Sequence, residues 1–442
     1  MLLSSSPSIY KRLGLPRRFR PFLNQGLLWR STDGLTPTLG PTLTCIRATN
    51  TTSLRPDGSY DFVAANALGA DHYLEQTYTF FPSFRTSLDT TVGGWTGADA
   101  TCVDSGVASC LQNINLRLIT ATAANGTWTS TAHAVTASKV HLFEWVIDPT
   151  GTEPAPQFNI IDSVAGTKVN TYTIATDTWA LAAGVTAVAS RVVSGTKKII
   201  TLQYSSAAGA PNLSTQILIP TNGATVLCAM AIFHQGRFSV NFCYPSPEAA
   251  GGYVAAATAL YANLVTDYRA SKIWMAVVSK HNHIWNEMGN ASGTGNIENL
   301  MVLSNSSTLG GSHAIEAYAI CNQNAAGYNN GIILARNSVV SYPLRWNDAT
   351  CNANRNTATV CHIYAVGATT ARLTYVDSAG YYKSATSATP LPAGSANAMK
   401  YLHFNDYNAD GQIKCAAMGL LSGEPQEAEM QQLARSLLRI SQ

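Results

Sequence analysis

Gln216-Ile217-Leu218-Ile219-Pro220-Thr221-Asn222-Gly223-Ala224-Thr225-Val226-Leu227-Cys228-Ala229-Met230-Ala231-Ile232-Phe233 is the stretch that decides the fold class. Two short runs rich in apolar residues, 216–219 and 225–233, flank Asn222-Gly223, a dipeptide suited to the positive φ of a tight turn. The same grammar recurs along the chain. Before this stretch, strands are predicted at Lys139–Ile147, Val169–Ile174 and Lys197–Tyr204. After it they are predicted at Phe238–Tyr244, Lys272–Ser279, Leu300–Ser304, His313–Ile320, Gly331–Ala335, Thr359–Val366, Ala371–Tyr375 and Gln412–Met418. Asp57-Gly58 and Asp410-Gly411 add further turn signals. Two sets of roughly six strands imply two sandwiches, divided near Pro245–Gly252, where Pro, Ser and Gly gather. No fixed-period repeat points to a propeller or solenoid.

Helical spacing is scarce. Met430, Leu433, Ala434, Leu437 and Leu438 fall at i, i+3, i+4, i+7 and i+8, which predicts a C-terminal helix. Pro425 suits its first turn, the acids Glu424, Glu427 and Glu429 its positive end, and Arg435 and Arg439 the other end. A weaker helical stretch spans Ala255 to Asp267.

The 442 residues amount to about three domains of chain. Charged residues make up 12%, against roughly 25% in an average soluble domain. Gly and Pro, at 33 and 18, exclude collagen-like and low-complexity chains. The apolar share of 46% with a net charge of +3 excludes disorder. No apolar run reaches the ~18 residues of a membrane helix, so no membrane span is expected.

The charge is unevenly placed. Residues 1–30 carry Lys11, Arg12, Arg17, Arg18, Arg20 and Arg30 with no acid. That leaves 22 of the 28 basic residues against all 25 acids in the remainder. Met1 to Pro7 supplies no apolar block of the kind a secretory signal needs. No basic stripe elsewhere extends the leader into a nucleic-acid surface, so no nucleic acid is expected. Interleaved Leu13, Leu15, Phe19, Phe22 and Leu23, with Pro16 and Pro21, favour an extended arm ordered on a partner protein over a solvated tail.

Nine cysteines, at 45, 102, 110, 228, 243, 321, 351, 361 and 415, include no Cys-x-x-Cys pair and no zinc spacing. Cys102 with Cys110, and Cys351 with Cys361, are spaced to bridge short loops, but small buried thiols are the better reading for most.

Three passages carry a resemblance. Cys45-Ile46-Arg47-Ala48-Thr49 followed by Pro56-Asp57-Gly58-Ser59-Tyr60-Asp61-Phe62-Val63-Ala64-Ala65-Asn66 resembles a leader of tailed-bacteriophage virion proteins, with Ala67-Leu68-Gly69 in place of the usual Pro-Arg-Phe ending. Val226 to Ser239, ending at Tyr244-Pro245-Ser246, with Val188–Tyr204 before it, is similar to the carbohydrate-binding-module-like sandwich of such proteins. From about Tyr253 onward the chain looks like a concanavalin A/laminin-G-type jelly roll, on Asp267 to Val278, Tyr401 to Asp406, Gly411-Gln412-Ile413 and the terminal helix. The resemblance implies a mainly β chain. An extended basic N-terminal virion-docking arm and linker would span 1–85, and a carbohydrate-binding-module-like sandwich 86–247. A lectin-like jelly roll with a short C-terminal helix would span 248–442. Fold analogy by itself does not imply sugar binding.

Several groups are weighed for chemistry. Asp406-x-Asn408-x-Asp410-Gly411 matches the first half of a calcium loop, but Ala417 stands where the bidentate Glu belongs, so a full EF-hand is excluded and an ordinary polar turn is favoured over a looser calcium site. His281 and His283, with Glu287, place two imidazoles on one strand face and are read as a structural pair before a metal site or a recognition patch. Trp285 with Asn282, Asn286 and Glu287, and Trp346 with Asn347 and Asp348, have the aromatic-plus-amide-plus-acid composition of a sugar contact. Trp128, Trp145, Trp179 and Trp274 are read as core. Glu144 and Asp148 lie about 13 Å apart along one strand face, too far for a glycosidase pair. No nucleophile elbow, Walker loop or dinucleotide fingerprint occurs.

The expectation is a non-enzymatic structural protein of a virion tail, baseplate or fibre. It would assemble in the host cytoplasm, contact other virion proteins as a trimer or ring, and reach host surface glycans without a cofactor. The rival readings are a head-decorating protein and a polysaccharide depolymerase tailspike.

Overall fold

The computed structural model describes residues 26–48, 51–54, 60–68, 78–80, 94–109, 115–236, 253–255, 259–264, 266–268, 272–281, 296–305, 316–325, 328–329, 332–337, 339–345, 348–354, 357–387, 399–407 and 411–442. The chain is mainly β, in several antiparallel sheets, with a helix at Glu427–Ile440. It divides into two bodies that are nested along the sequence. A carrier body takes Met1–Ala48, Asn66–Gln76 and Ala257–Gln442, and an inserted body takes Thr49–Ala65 and Thr77–Ala256.

This division differs from the expected boundaries after residues 85 and 247. The reason is strand pairing at both ends of the chain. Leu27–Arg30 pairs antiparallel with Gly411–Leu420, placing Leu27 opposite Met418 and Arg30 opposite Cys415. Thr44–Ile46 pairs with Ala259–Asn263, placing Cys45 opposite Leu260. Residues 27–46, expected in an extended arm, therefore supply two strands of the carrier body. Strands 44–46 and 259–263 are spatial neighbours between which the whole inserted body leaves and returns. An insertion is well tolerated where the two ends of the interrupted element lie close together.

Among the described residues, the carrier body has three layers. One sheet runs in the order 27–30, 411–420, 273–281, 360–366, 371–377, 382–387. Its alternate side chains serve two cores. Leu27, Trp29, Met275, Val277, Tyr364, Leu373, Ala416 and Met418 face the second sheet, meeting Leu260, Met301, Leu303, Leu402 and Phe404. Leu28, Trp274, Ala276, Val278, Cys361, Ile363, Cys415 and Ala417 face the C-terminal helix, meeting Met430, Leu433, Ala434, Leu437 and Leu438. Burial on both faces explains why Ile273 to Val278 reads as unbroken apolar sequence rather than alternation. Trp29 is fully buried, stacks on Phe404 with centroids 5.9 Å apart, and donates its indole N–H to Gly34 O at 2.7 Å.

The helix buries the five residues whose spacing predicted it. It starts later than Pro425 suggests, because Gln426 is its N-cap and the proline precedes it. Glu427 is held by Arg372 (3.0 Å) and by the Tyr382 hydroxyl (2.6 Å). The stretch Ala255–Asp267, predicted weakly helical, instead begins at the last residue of strand Tyr253–Ala255 and contains strand Ala259–Asn263. Leu260, Ala262 and Leu264 are buried at a period of two, and sheet pairing overrides an alanine-rich local preference.

The inserted body packs two sheets around Trp95, Phe143, Trp145, Phe158, Ile200, Leu202, Ile217 and Phe233. Phe143 stacks on Phe233 at 4.9 Å, and Trp145 reaches Phe158 of the opposite sheet at 5.2 Å. Trp128 is buried and Trp179 partly buried in the same core, and Trp274 fills the carrier body, as expected. The Asn222-Gly223 turn, with Gly223 at φ 76°, does not close a hairpin. It passes the chain from Asn212–Ile219 in one sheet to Thr225–Gln235 in the other. The predicted strand Phe238–Tyr244 and the break at 245–252 lie outside the described residues. Cys102, Cys351 and Cys361 are free thiols, so neither short loop considered for a disulfide is bridged through them.

Two outcomes follow from this packing. Trp29→Ala should remove about 3–5 kcal/mol from the carrier body, read by urea unfolding, as large aromatic truncations in full cores do. Burial pushes the His141 imidazole down to about 4, below its ordinary 6.5, while its Nδ1–H donates to Lys139 O at 3.0 Å. The folded form stays neutral where the unfolded chain takes up a proton. Stability is therefore full above pH 6.5 and is lost as the pH falls toward 4, by about 3 kcal/mol in all. Urea midpoints at pH 7 and 4.5 should differ in the wild type, and His141→Gln should flatten that difference.

Candidate contact site and its carboxylate staples

The residues offered for docking, Lys11, Arg12, Arg17, Arg18 and Arg20, lie outside the described residues. So do Trp285, Asn286, Glu287, Trp346, Asn408 and Asp410. Asp406 falls in strand Tyr401–Tyr407. Arg30, Asp348 and His281 are placed, and each has an internal partner.

Arg30 ends strand 27–30, and its guanidinium grips Asp33 through Nε at 3.1 Å and through a second nitrogen at 2.7 Å. Asp33 also accepts from the Arg30 and Thr38 N–H groups. Burial would raise the Asp33 carboxyl, but hydrogen bonds from Thr38 and Arg30 hold it below the usual range. This arginine closes a turn of the carrier body rather than belonging to a free arm. His281 is buried at the end of strand Ile273–His281, and its Nε2 meets Ser279 Oγ at 2.9 Å.

Asp348 was expected to hold sugar hydroxyls beside Trp346. Its Oδ1 accepts from the Thr350 and Cys351 N–H groups, both at 3.0 Å, and so caps the short helix Ala349–Asn354. Its Oδ2 accepts from the Tyr381 hydroxyl at 2.9 Å and pairs with Lys383 Nζ at 3.2 Å. A carboxylate has about four acceptor sites, and all are filled internally. Burial raises the Asp348 carboxyl, yet the Cys351 N–H, Tyr381 and Lys383 together bring it below the usual range. Beside it, Asp377 accepts from Asn354 Nδ2 at 2.8 Å and from the Tyr381 N–H at 2.9 Å. The two acids fasten the helix to the 371–387 hairpin.

The same use of acids recurs. Asp104 accepts from the Gly106 N–H, Asp148 from Thr150, Glu153 from Ala155 and Thr221, and Asp162 from Val164, Ala165 and Ala207. Glu424 receives the N–H groups of Ala368, Thr369 and Thr370 and the Thr370 hydroxyl. The Thr370 hydroxyl leads the set that holds its carboxyl below the ordinary value. Glu144 is fully buried on strand Val140–Asp148, while Asp148 sits at that strand's end in a turn with Thr150.

Sequence reasoning missed an aromatic shelf on the carrier body. Tyr261 and Tyr401 stack at 6.1 Å with an interplanar angle of 17°, and Tyr261 lies 5.2 Å from the His403 ring. Their strands are paired, Tyr261 opposite His403 and Asn263 opposite Tyr401. Both tyrosines are half-buried, and Asn263 is exposed. The signal available was the alternation of Tyr261 with Leu260 and Ala262, which a helical reading of 255–267 hid.

Asp348→Ala should destabilise the carrier body by about 1–3 kcal/mol, because it uncaps the helix and leaves Tyr381 and Lys383 without their acceptor. Asp348→Asn, which keeps the cap acceptor, should cost less; chemical denaturation of the two variants side by side tests the order.

No protein-family model matches the chain, and no curated protein matches it in sequence.

Proposed function

We propose that this chain is a non-enzymatic structural protein of a tailed-bacteriophage virion, in the tail, baseplate or fibre, working by contact with neighbouring subunits. The observation that carries the reading is the geometry of the leader motif. The Arg47 N–H donates to Asn66 Oδ1 at 2.9 Å, the Asn66 N–H returns to Arg47 O at 3.1 Å, and the Arg47 guanidinium reaches Ala67 O at 2.9 Å. Asn66 sits at φ 58°, a conformation Asn tolerates better than most residues. Between the two, Thr51–Leu54 and Tyr60–Val63 form a hairpin. The two halves of the motif that resembles virion leaders thus form one folded clasp at the point where the carrier body is interrupted.

Contact rather than turnover is supported by the acids. Asp33, Asp104, Asp148, Glu153, Asp162, Asp348, Asp377 and Glu424 all accept backbone N–H bonds that fasten turns. No helix among the described residues is long and apolar enough to cross a membrane. Residues 1–25, with five of the leader's six bases, remain as the docking strap in this reading. The Tyr261–Tyr401 shelf, with Asn263, is the described surface whose chemistry suits a host glycan.

The test is immunogold labelling of purified particles with an antibody to the chain, beside a variant lacking residues 1–25. Truncation must stop there, because Leu27, Leu28 and Trp29 are core. Label on the tail and loss of the truncated chain from particles are expected. Label on the head would move the protein to capsid decoration. Unlabelled particles would overturn the virion reading, and reducing-sugar release from host polysaccharide would overturn the non-enzymatic one.

A further inference from the structure

Of the eight large hydrophobic side chains exposed among the described residues, four lie on two strands: Val103 and Val107 on Ala100–Ala108, and Val188 and Val192 on Val185–Ser194. These strands are the two edges of a single sheet of the inserted body, ordered 185–194, 197–205, 140–148, 225–235, 115–121, 100–108. Among the described residues, each pairs on one side only. Edge strands usually carry Lys, Pro or bulges that prevent further pairing. Neither strand contains a Lys or Pro, and each carries a single charge, Asp104 on one and Arg191 on the other. Register shifts fall at Asp104/Ala108, Val188/Arg191 and Val192/Ser194, leaving 100–104 and 185–188 in regular register.

We infer that strand 100–108 of one copy pairs with strand 185–194 of the next, joining copies head to tail through a continuous sheet. The occupant is a second copy because the sheet's own geometry fits it. Every neighbouring pair in this sheet is antiparallel, and the described strands number six, so the two edges run in opposite directions. A second copy added in the same orientation continues the antiparallel order without a break. The faces also agree. Ala100 and Cys102 pack on the core, as do Val185 and Ala187, so Val103 and Val188 both project from the outer face. Joining the edges brings these valines to one junction and would extend the sheet's ladder of backbone hydrogen bonds across it. A contact between unlike edges closes into a ring or grows open-ended, whereas a contact between like edges stops at a dimer. The inference gives the subunit contact of the proposed virion protein and rests on that reading for its purpose only.

The experiment uses full-length chain with Val103→Lys or Val188→Lys, positions 53% and 38% exposed in the single copy. Far-UV circular dichroism verifies that both fold, and sedimentation velocity reads assembly at up to about 100 µM. Wild type should assemble, and each variant alone should need at least ~10-fold higher concentration. An equal mixture of the two should give one-to-one dimers, since each retains the edge the other lacks. A monomeric wild type, unchanged assembly of either variant, or a mixture that stays monomeric overturns the contact. Assemblies that form in solution while particles carry no label would overturn the virion reading and leave the contact standing.

Discussion

The pairing of Thr44–Ile46 with Ala259–Asn263 is the constraint on which the rest depends. It brings together residues more than two hundred positions apart and fixes the point at which the inserted body leaves and re-enters the carrier body. Leu27 and Trp29 reach the core they share with Phe404 and Met418 through their own strand's pairing with Gly411–Leu420. The Arg47–Asn66 clasp follows this pairing along the chain. Closing so long a loop costs entropy that grows only slowly with its length, so two strands and a few backbone bonds suffice to hold it.

A chain with so few charges uses its acids sparingly and locally. Eight of the described carboxylates accept from backbone N–H groups of turns, where a charged acceptor makes a stronger bond than a neutral one. Asp348 and Asp377 fasten a helix to a hairpin, and Glu424 closes the loop at 368–370 with five contacts. Such use stiffens loops between strands that are short and irregular. It also removes these groups from ligand chemistry, which is why Asp348 is poorly suited to a sugar although its composition with Trp346 suggested one.

Trp128, Trp145 and Trp274 as core, most strands and the terminal helix are legible because periodicity and turn chemistry are local signals. Met430 to Leu438 lie on one helical face whatever they pack against. The strand at 139–147 was legible from its composition and is observed at Val140–Asp148. The stretch 255–267 was misread because alanine favours a helix locally, while the sheet that recruits Leu260 and Ala262 is assembled from distant segments. Asn222-Gly223 was rightly read as a turn, but no local feature tells a hairpin from a passage between sheets.

The sequence by itself determined the class: many short strands, two packed bodies, a helix at the end and a basic leader, all consequences of side-chain spacing. Only the tertiary structure decided that the bodies are nested, that Trp29 belongs to a core and Arg30 to a turn, and which tyrosines share a shelf. Spacing along a chain reports which way a side chain points, but strand partners separated by hundreds of residues are chosen by which backbone edges and apolar faces can be satisfied together.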